Sequence, residues 1–429
     1  MPPIEDSPSR RTARLLGAGA RTLGRSLLKQ LPGGDRAQRK VDYWTAVGRD
    51  WAQTLGELRG AAMKLGQLAS QYADVLPPQL AEQLRRLQNA AEPIAFEDFQ
   101  RALALQWSAA QFAQIESIER QALAAASIGQ VHRARHVDGR TLVIKLRYPG
   151  VGDAVDADLK QLRRLIGASK LLPLDGPAMD RLMEEVRQRF RDETDYVAEL
   201  RYLQLLRHRA ALEGIVYPTP LPELCTAGVI VCGEERGAGL EQARTWSQMR
   251  RDRIGAHLAS WLVHQLFESH AVHADPHPGN FAFRDNDDVV VYDFGCVKQV
   301  PEHVVGKVRQ LLAAAAARDW AGVHETLERL GGLAGDVPLA EVEPLYRDLH
   351  RLIIQPLAVA DGFDFSDPSF IDRLRACARS HVGLTFRFKP VTDLIFVIRA
   401  LSGHYWLLRA LGARVDLRSI LLSHAIQLG

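Results

Sequence analysis

The sequence predicts an α+β protein of two lobes, a small one built around strands and a larger one that is mostly helical. Three observations carry this. The chain has 429 residues, more than one compact core ordinarily serves. Within LAAASIGQVHRARHVDGRTLVIKLRYP, residues 128–136 and 141–147 read as two strands joined at Asp138-Gly139, a dipeptide suited to a tight hairpin. From 301 to 429 the apolar spacing is helical, with loops at Gly331-Gly332 and 361–369.

Taken in order, residues 1–40 form a basic leader. Residues 41–106 form a helical extension without strand signal. In it Leu55, Leu58, Ala62, Leu65, Leu68 and Tyr72 share a helical face, and Pro77-Pro78 open a further helix. The small lobe covers 107–236. Its hairpin is followed by helical periodicity over 153–168 and 178–210, then by a second strand pair near 215–232. A glycine-rich joint (233–240) leads into the lobe 237–429. That lobe opens with a long helix over 247–270, the loop HADPHPGN, and a strand pair in FAFR and VVVYDFG.

Composition narrows the function. At 47% hydrophobic and 24% charged residues the chain is of the soluble globular kind. A net charge of +3 without interleaved aromatic and basic residues does not suggest nucleic acid as a partner. Residues 1–40 hold nine Lys/Arg against three acids, +6, so the rest of the chain carries −3. This leader suits an anionic membrane surface, an Arg-rich targeting segment, or a solvated tail. Four cysteines without CxxC spacing indicate a reducing compartment. The apolar region 394–411 is flanked or interrupted by Asp393, Arg399 and Arg409, so no transmembrane helix is expected.

The loop at 273–280 gives the chemistry. Asn280 lies five residues after Asp275, as in the H-x-D-x-x-x-x-N catalytic loop of protein kinases, and Asp293 of a D-F-G follows eighteen residues later, beyond a strand pair. Phosphoryl transfer is mostly positioning and charge neutralisation. One carboxylate must face the nucleophile while an amide and a second carboxylate hold Mg²⁺. Asp275 fits the first role, Asn280 and Asp293 the second. A zinc site from His273, Asp275 and His277 is disfavoured, because no second segment supplies further ligands; these histidines and His270 read as structural. Lys145, between Val143, Ile144 and Leu146, is either an edge residue facing water or a phosphate ligand with a carboxylate partner. Asp195 and Glu199, four apart, share a helical face from which Glu193 is rotated. Where a glycine-rich phosphate loop would sit, the chain reads Ala124-Ala125-Ala126-Ser127-Ile128-Gly129-Gln130-Val131, with one glycine.

In series, KLGQ (64–67), AAASIGQVHRA (124–134), VIKLRYPGV (143–151), ETDYVAEL (193–200), HADPHPGN (273–280) and DFG (293–295) resemble the UbiB/ADCK family of atypical protein-kinase-like proteins. The resemblance covers about residues 41–415. It implies a bilobal protein-kinase-like fold whose helical N-terminal extension packs over the active-site cleft. Lys64 and Gln67 match the family's K-x-G-Q motif, which occludes the protein-substrate groove. Glu193 and Asp195 match the E-x-D motif that engages the extension, and Glu199 the helix glutamate that pairs with Lys145. Ala125, Ala126, Ser127, Gly129 and Val131 match the alanine-rich nucleotide loop, which favours ADP over productive ATP use. At the adenine-side hinge this chain departs from the family and has Cys232-Gly233-Glu234.

The function so implied is that of a Mg²⁺-dependent ATPase binding ATP or ADP. It would support ubiquinone or other prenyl-lipid biosynthesis, with a prenyl-lipid or quinone precursor and lipid-biosynthesis enzymes as partners. The alternatives are a nucleotide-binding scaffold and a kinase with a small-molecule acceptor. The expected place is cytoplasmic with peripheral membrane contact, or mitochondrial if the leader is a transit peptide.

Overall fold

A computed structural model describes residues 93–125, 128–150, 176–358 and 362–426, with isolated positions at 45, 159, 160 and 163. The leader, most of the extension with Lys64 and Gln67, residues Ala126 and Ser127, and most of 151–175 lie outside the described residues. The chain divides into two compact units. One runs to Ala198 and includes Leu221–Glu234; the other comprises Glu199–Pro220 and Glu235 onward.

The first unit is built on a four-stranded antiparallel sheet in the order β1-β2-β3-β5, from β1 (Ile115–Ala125), β2 (Gly129–His136), β3 (Thr141–Arg147) and β5 (Val229–Gly233). The β2–β3 hairpin turns at Asp138-Gly139, as expected, with Gly139 at φ +89°, a conformation glycine takes without steric cost. Strand β1 goes beyond the sequence reading. Its burial does not alternate and its pairing to β2 has register shifts, so the period-2 signal is absent. Leu142, Ile144 and Leu146 point to one face, where helix α1 (Phe96–Ala104) buries Phe99 and Leu103 against them. Gln130, 1% exposed, fastens this layer: its Oε1 accepts from Ile94 N (2.8 Å) and its Nε2 donates to Ile94 O (3.3 Å).

Helical periodicity over 178–210 resolves into two helices, α2 (Gly176–Thr194) and α3 (Tyr196–Arg209). The break at Asp195 corrects the reading that Asp195 and Glu199 share one helical face. Asp195 precedes α3, and its carboxylate accepts from Ala198 N (2.9 Å), a side-chain competition that favours aspartate at helix starts. The strand pair expected near 215–232 is also corrected. β4 (Ile215–Val216) pairs in parallel with β8 (Val289–Val291), whose other neighbour is β7 (Phe281–Phe283), whereas β5 pairs with β3.

In the second unit, helix α4 (Gln248–His264) widens into a π-turn over Gln265–Ser269 and stops at His270, φ +51°. It buries Trp261 completely; the indole Nε1 donates to Tyr217 Oη at 2.6 Å. Short strands follow: β6 (Ala271–His273) pairs with β9 (Val297–Gln299), and β7 (Phe281–Phe283) with β8. The remainder is largely helical, with α5 (Glu302–Ala316), α6 (Trp320–Arg329), α7 (Leu339–Leu349), α8 (Ser369–Ser380), α9 (Ile395–Leu411) and α10 (Leu417–Ser423), and a two-residue pairing of Phe363–Asp364 with Arg414–Val415. By length and composition alone Thr392–Leu411 is apolar enough to cross a membrane, its charges notwithstanding. Along the same stretch Val397, Ala400, His404, Leu407, Leu408 and Leu411 are buried, while Ile395, Ile398, Leu401 and Trp406 are exposed.

Candidate functional site

Lys145 occupies an interior strand. Its backbone pairs with Val131 of β2 and Ile230 of β5, so the edge-strand reading is excluded. It shares with Val143 and Arg147 the partly exposed face of β3, opposite the Leu142–Ile144–Leu146 core. Its ammonium stands 5.1 Å from the ring centroid of buried Tyr196. The described end of the extension, residues 93–106, packs on the other face of the sheet from Lys145.

Around Lys145, Ala125 ends β1 opposite Gln130, and Val131 lies opposite Lys145. Gly129 has a structural reason to be glycine: a Cβ there would stand 2.5 Å from the Leu146 carbonyl oxygen and 2.9 Å from Tyr196 Oη. Cys232 is buried in β5 opposite Val143. Glu234 is held by Arg133, whose Nε donates to it at 2.8 Å, and its amide donates to Thr141 O (3.0 Å). Glu193 lies in the last turn of α2, partly buried. Glu199 is 4% exposed in the first turn of α3, where the helix N-terminus favours a negative charge.

In the second unit the 273–280 loop brings its expected residues together. Asn280 Nδ2 donates to the Asp275 carbonyl (3.0 Å) and to Asp275 Oδ2 (3.1 Å). Asn280 ends a one-turn 3₁₀ segment, Pro278–Asn280, capped by His277, whose Nδ1 accepts from Gly279 N (3.1 Å). His273, fully buried, donates from Nε2 to the Asp293 carbonyl (2.6 Å), tying the loop to the D-F-G segment. Asp293 Oδ1 accepts from Gly295 N (2.9 Å), and buried Phe294 packs 5.9 Å from the Tyr217 ring centroid. His273 and His277 thus take separate structural partners. With Asn280 Nδ2 committed to Asp275, its Oδ1 is the atom available to a cation. Amide and carboxylate oxygens are the hard donors that Mg²⁺ prefers.

Sequence reasoning missed two contributors from α9. Arg399 Nη2 donates to Asp275 Oδ1 at 3.1 Å, across 124 residues. Both Asp275 oxygens are therefore engaged, one by Arg399 and one by Asn280. Gly403 faces Pro276 so closely that a Cβ there would overlap the proline ring. Next to Gly403, His404 is 1% exposed with neither ring nitrogen hydrogen-bonded, and its ring lies 5.7 Å from Trp261 and 6.2 Å from Phe281. Burial, and secondarily the nearby His273, pushes its pKa down to about 3. No local motif announces these residues; a C-terminal arginine or glycine in a helix carries no signal of what it touches.

Comparison with known proteins follows the same line. The model of the ABC1 atypical kinase-like domain matches residues 86–327. The mitochondrial atypical kinase COQ8 of Saccharomyces cerevisiae is 30% identical over 370 residues, 84% of this chain and 72% of that protein. The mitochondrial atypical kinase COQ8B of Danio rerio is 28% identical over 375 residues, 86% of this chain but 59% of that protein. The solved structure of Rv3197 from Mycobacterium tuberculosis, in complex with erythromycin, superposes with a TM-score of 0.64 at 25% identity, covering 87% of this chain and 94% of that one.

Proposed function

The chain belongs to the UbiB/ADCK family of ABC1 atypical kinase-like proteins, and from that premise we propose that it is a Mg²⁺-dependent kinase-fold ATPase supporting biosynthesis of ubiquinone or a related prenyl lipid. The observation that supports it most is the loop in which Asn280 is fixed to Asp275 and His273 ties both to the Asp293 segment. In this reading Asp275 orients water, or an acceptor hydroxyl, and receives its proton. Asn280 and Asp293 would hold Mg²⁺, which supplies charge neutralisation at the phosphates. Lys145 grips the phosphates of ATP or ADP, with Glu199 as its carboxylate partner. Ala125, Ala126, Ser127, Gly129 and Val131 would serve the phosphate side of the nucleotide, and Cys232 and Glu234 the adenine side. Lys64 and Gln67, with Glu193 and Asp195, restrain protein phosphorylation. The relatives' mitochondrial names make an organelle the first place to look, with peripheral contact to the membrane that holds a quinone precursor and its enzymes.

One observation favours a nucleotide-binding scaffold instead: Arg399 and Asn280 together occupy both oxygens of Asp275. The deciding experiment is phosphate release from Mg-ATP by the full chain, with and without anionic liposomes. Asp275→Asn should lower it by about 10²–10⁴-fold, as loss of a positioned base does, and Asp293→Asn should lower it strongly by removing a Mg²⁺ ligand. Release indistinguishable from both variants, with ADP still raising the melting temperature, would favour the scaffold. Lys64→Arg and Ala126→Gly should change the ADP-to-ATP preference or unmask phosphoryl transfer. Unaltered binding and turnover in both would remove the restraining role from the proposal.

A further inference from the structure

Three side chains that the phosphoryl-transfer reading does not use converge in the helical part of the second unit. Asp348 is the penultimate residue of α7, next to the point where the backbone widens into a π-turn over His350–Ile354. Cys377 lies in the last turn of α8 and His381 immediately follows that helix, four residues on, so the helical repeat brings both to one face. His381 Nε2 stands 2.9 Å from Asp348 Oδ2. One ligand atom from each residue, a thiol sulfur, a ring nitrogen and a carboxylate oxygen, lies within 4.8 Å of the others.

We propose that Asp348, Cys377 and His381 form a site for a divalent cation of borderline softness, zinc foremost, that bridges α7 and α8. The donor set selects the metal. Sulfur and imidazole nitrogen are poor ligands for Mg²⁺ or Ca²⁺, which take oxygen, whereas Cys, His and Asp together suit Zn²⁺. Zinc bonds of about 2.0–2.3 Å place tetrahedral ligand atoms roughly 3.3–3.8 Å apart. The three atoms reach that spacing by small side-chain movements. Three protein ligands leave the fourth position to water.

The surroundings fit. Cys377 is 8% exposed, so its thiol faces the interior and Asp348. Burial, then the Asp348 charge, holds that thiol above its ordinary pKa. A cation reverses this by binding the thiolate; the thiol proton leaves to solvent, and binding strengthens as pH rises. Arg351 bonds Asp348 Oδ1, which leaves Oδ2 toward His381 and fixes the carboxylate, as outer partners of metal ligands commonly do. The other cysteines, Cys225, Cys232 and Cys296, fall outside this cluster.

The test uses the full chain, stripped of metal with a chelator and titrated with Co²⁺ in excess Mg²⁺. One equivalent of Co²⁺ should produce a near-ultraviolet thiolate-to-cobalt band and tetrahedral visible bands, and added Zn²⁺ should bleach both. Cys377→Ser should abolish the thiolate band, and His381→Ala should weaken binding and shift the visible bands. Asp348→Asn, which keeps the side-chain volume, covers the case in which either variant folds poorly. Zn²⁺ should raise the melting temperature of the parent but not of Cys377→Ser. A thiolate band that survives Cys377→Ser, or none in the parent at large Co²⁺ excess, overturns the proposal. This outcome does not depend on ATP turnover, so it stands or falls apart from the ATPase reading.

Discussion

Lys145 and Asp275 are held in place by different means. Lys145 rides a strand bonded to neighbours on both sides, so its position is shared among many main-chain hydrogen bonds. Asp275 sits in a loop held by a few main-chain bonds, such as His277 N to Asp275 O (2.7 Å), and by side chains: Asn280, Arg399, the His273 link to Asp293, and Pro276 against Gly403. A ladder spreads its stability over the backbone and tolerates changes of neighbouring side chains. A loop of this kind concentrates it in a few groups, several of them distant in sequence. The loop should therefore be the more easily perturbed of the two.

Acid should expose that asymmetry most strongly. His404, behind the loop, is kept neutral with a folded pKa of about 3, below the ordinary value near 6.5. Below about pH 6.5 the unfolded chain takes up a proton that the folded chain refuses. The contribution of this group is thus complete above that pH and is lost progressively on acidification toward pH 3. The melting temperature of the parent should drop across this range, and that of His404→Phe should drop less. Parallel slopes would show that the ring does not govern acid stability.

A paired glycine replacement sharpens the comparison. Gly403→Ala pushes against Pro276 and should cost about 1–3 kcal/mol, the usual range for overpacking, while reducing phosphate release disproportionately. Gly129→Ala pushes against the Leu146 carbonyl; it should lower the melting temperature comparably, with its functional effect in nucleotide affinity. Equal loss of turnover per degree of melting temperature in both would break the distinction.

The smallest effect is expected from Arg399→Ala. Its pair with Asp275 is partly exposed, at 20% and 32% for the two side chains, so the stability change should be about 1 kcal/mol or less. Phosphate release should change by more than the stability does, because one oxygen of Asp275 is freed. An unchanged rate would make Arg399 only a packing residue.

What was legible in the sequence follows the same division. The hairpin at Asp138-Gly139 and the spacing of Asp275, Asn280 and Asp293 are local patterns, and they could be read directly. β1 was illegible because charged residues interrupt its alternation and its pairing is irregular. The helix break at Asp195 was hidden by a helical apolar pattern that continues through it. Strand propensity near 215 and 229 was visible but the partners were not, since pairing to β8 or β3 is decided by contacts far along the chain. Arg399 and Gly403 reach the loop from more than 120 residues away, and no spacing rule joins them to it.

Strand β4 has a consequence for dissecting the protein. The chain passes between the compact units at 198/199, 220/221 and 234/235, and the segment carried by the first two passages gives β8 its parallel neighbour. A fragment beginning at 237 would lose that neighbour and bare the Val289–Val291 edge, an invitation to aggregation. It would also lose Tyr217, the hydroxyl that Trp261 bonds. The two units are therefore not interchangeable cassettes: recombination that swaps one must carry residues 199–220 with the other, and a cut at the glycine-rich joint separates what folding has interleaved.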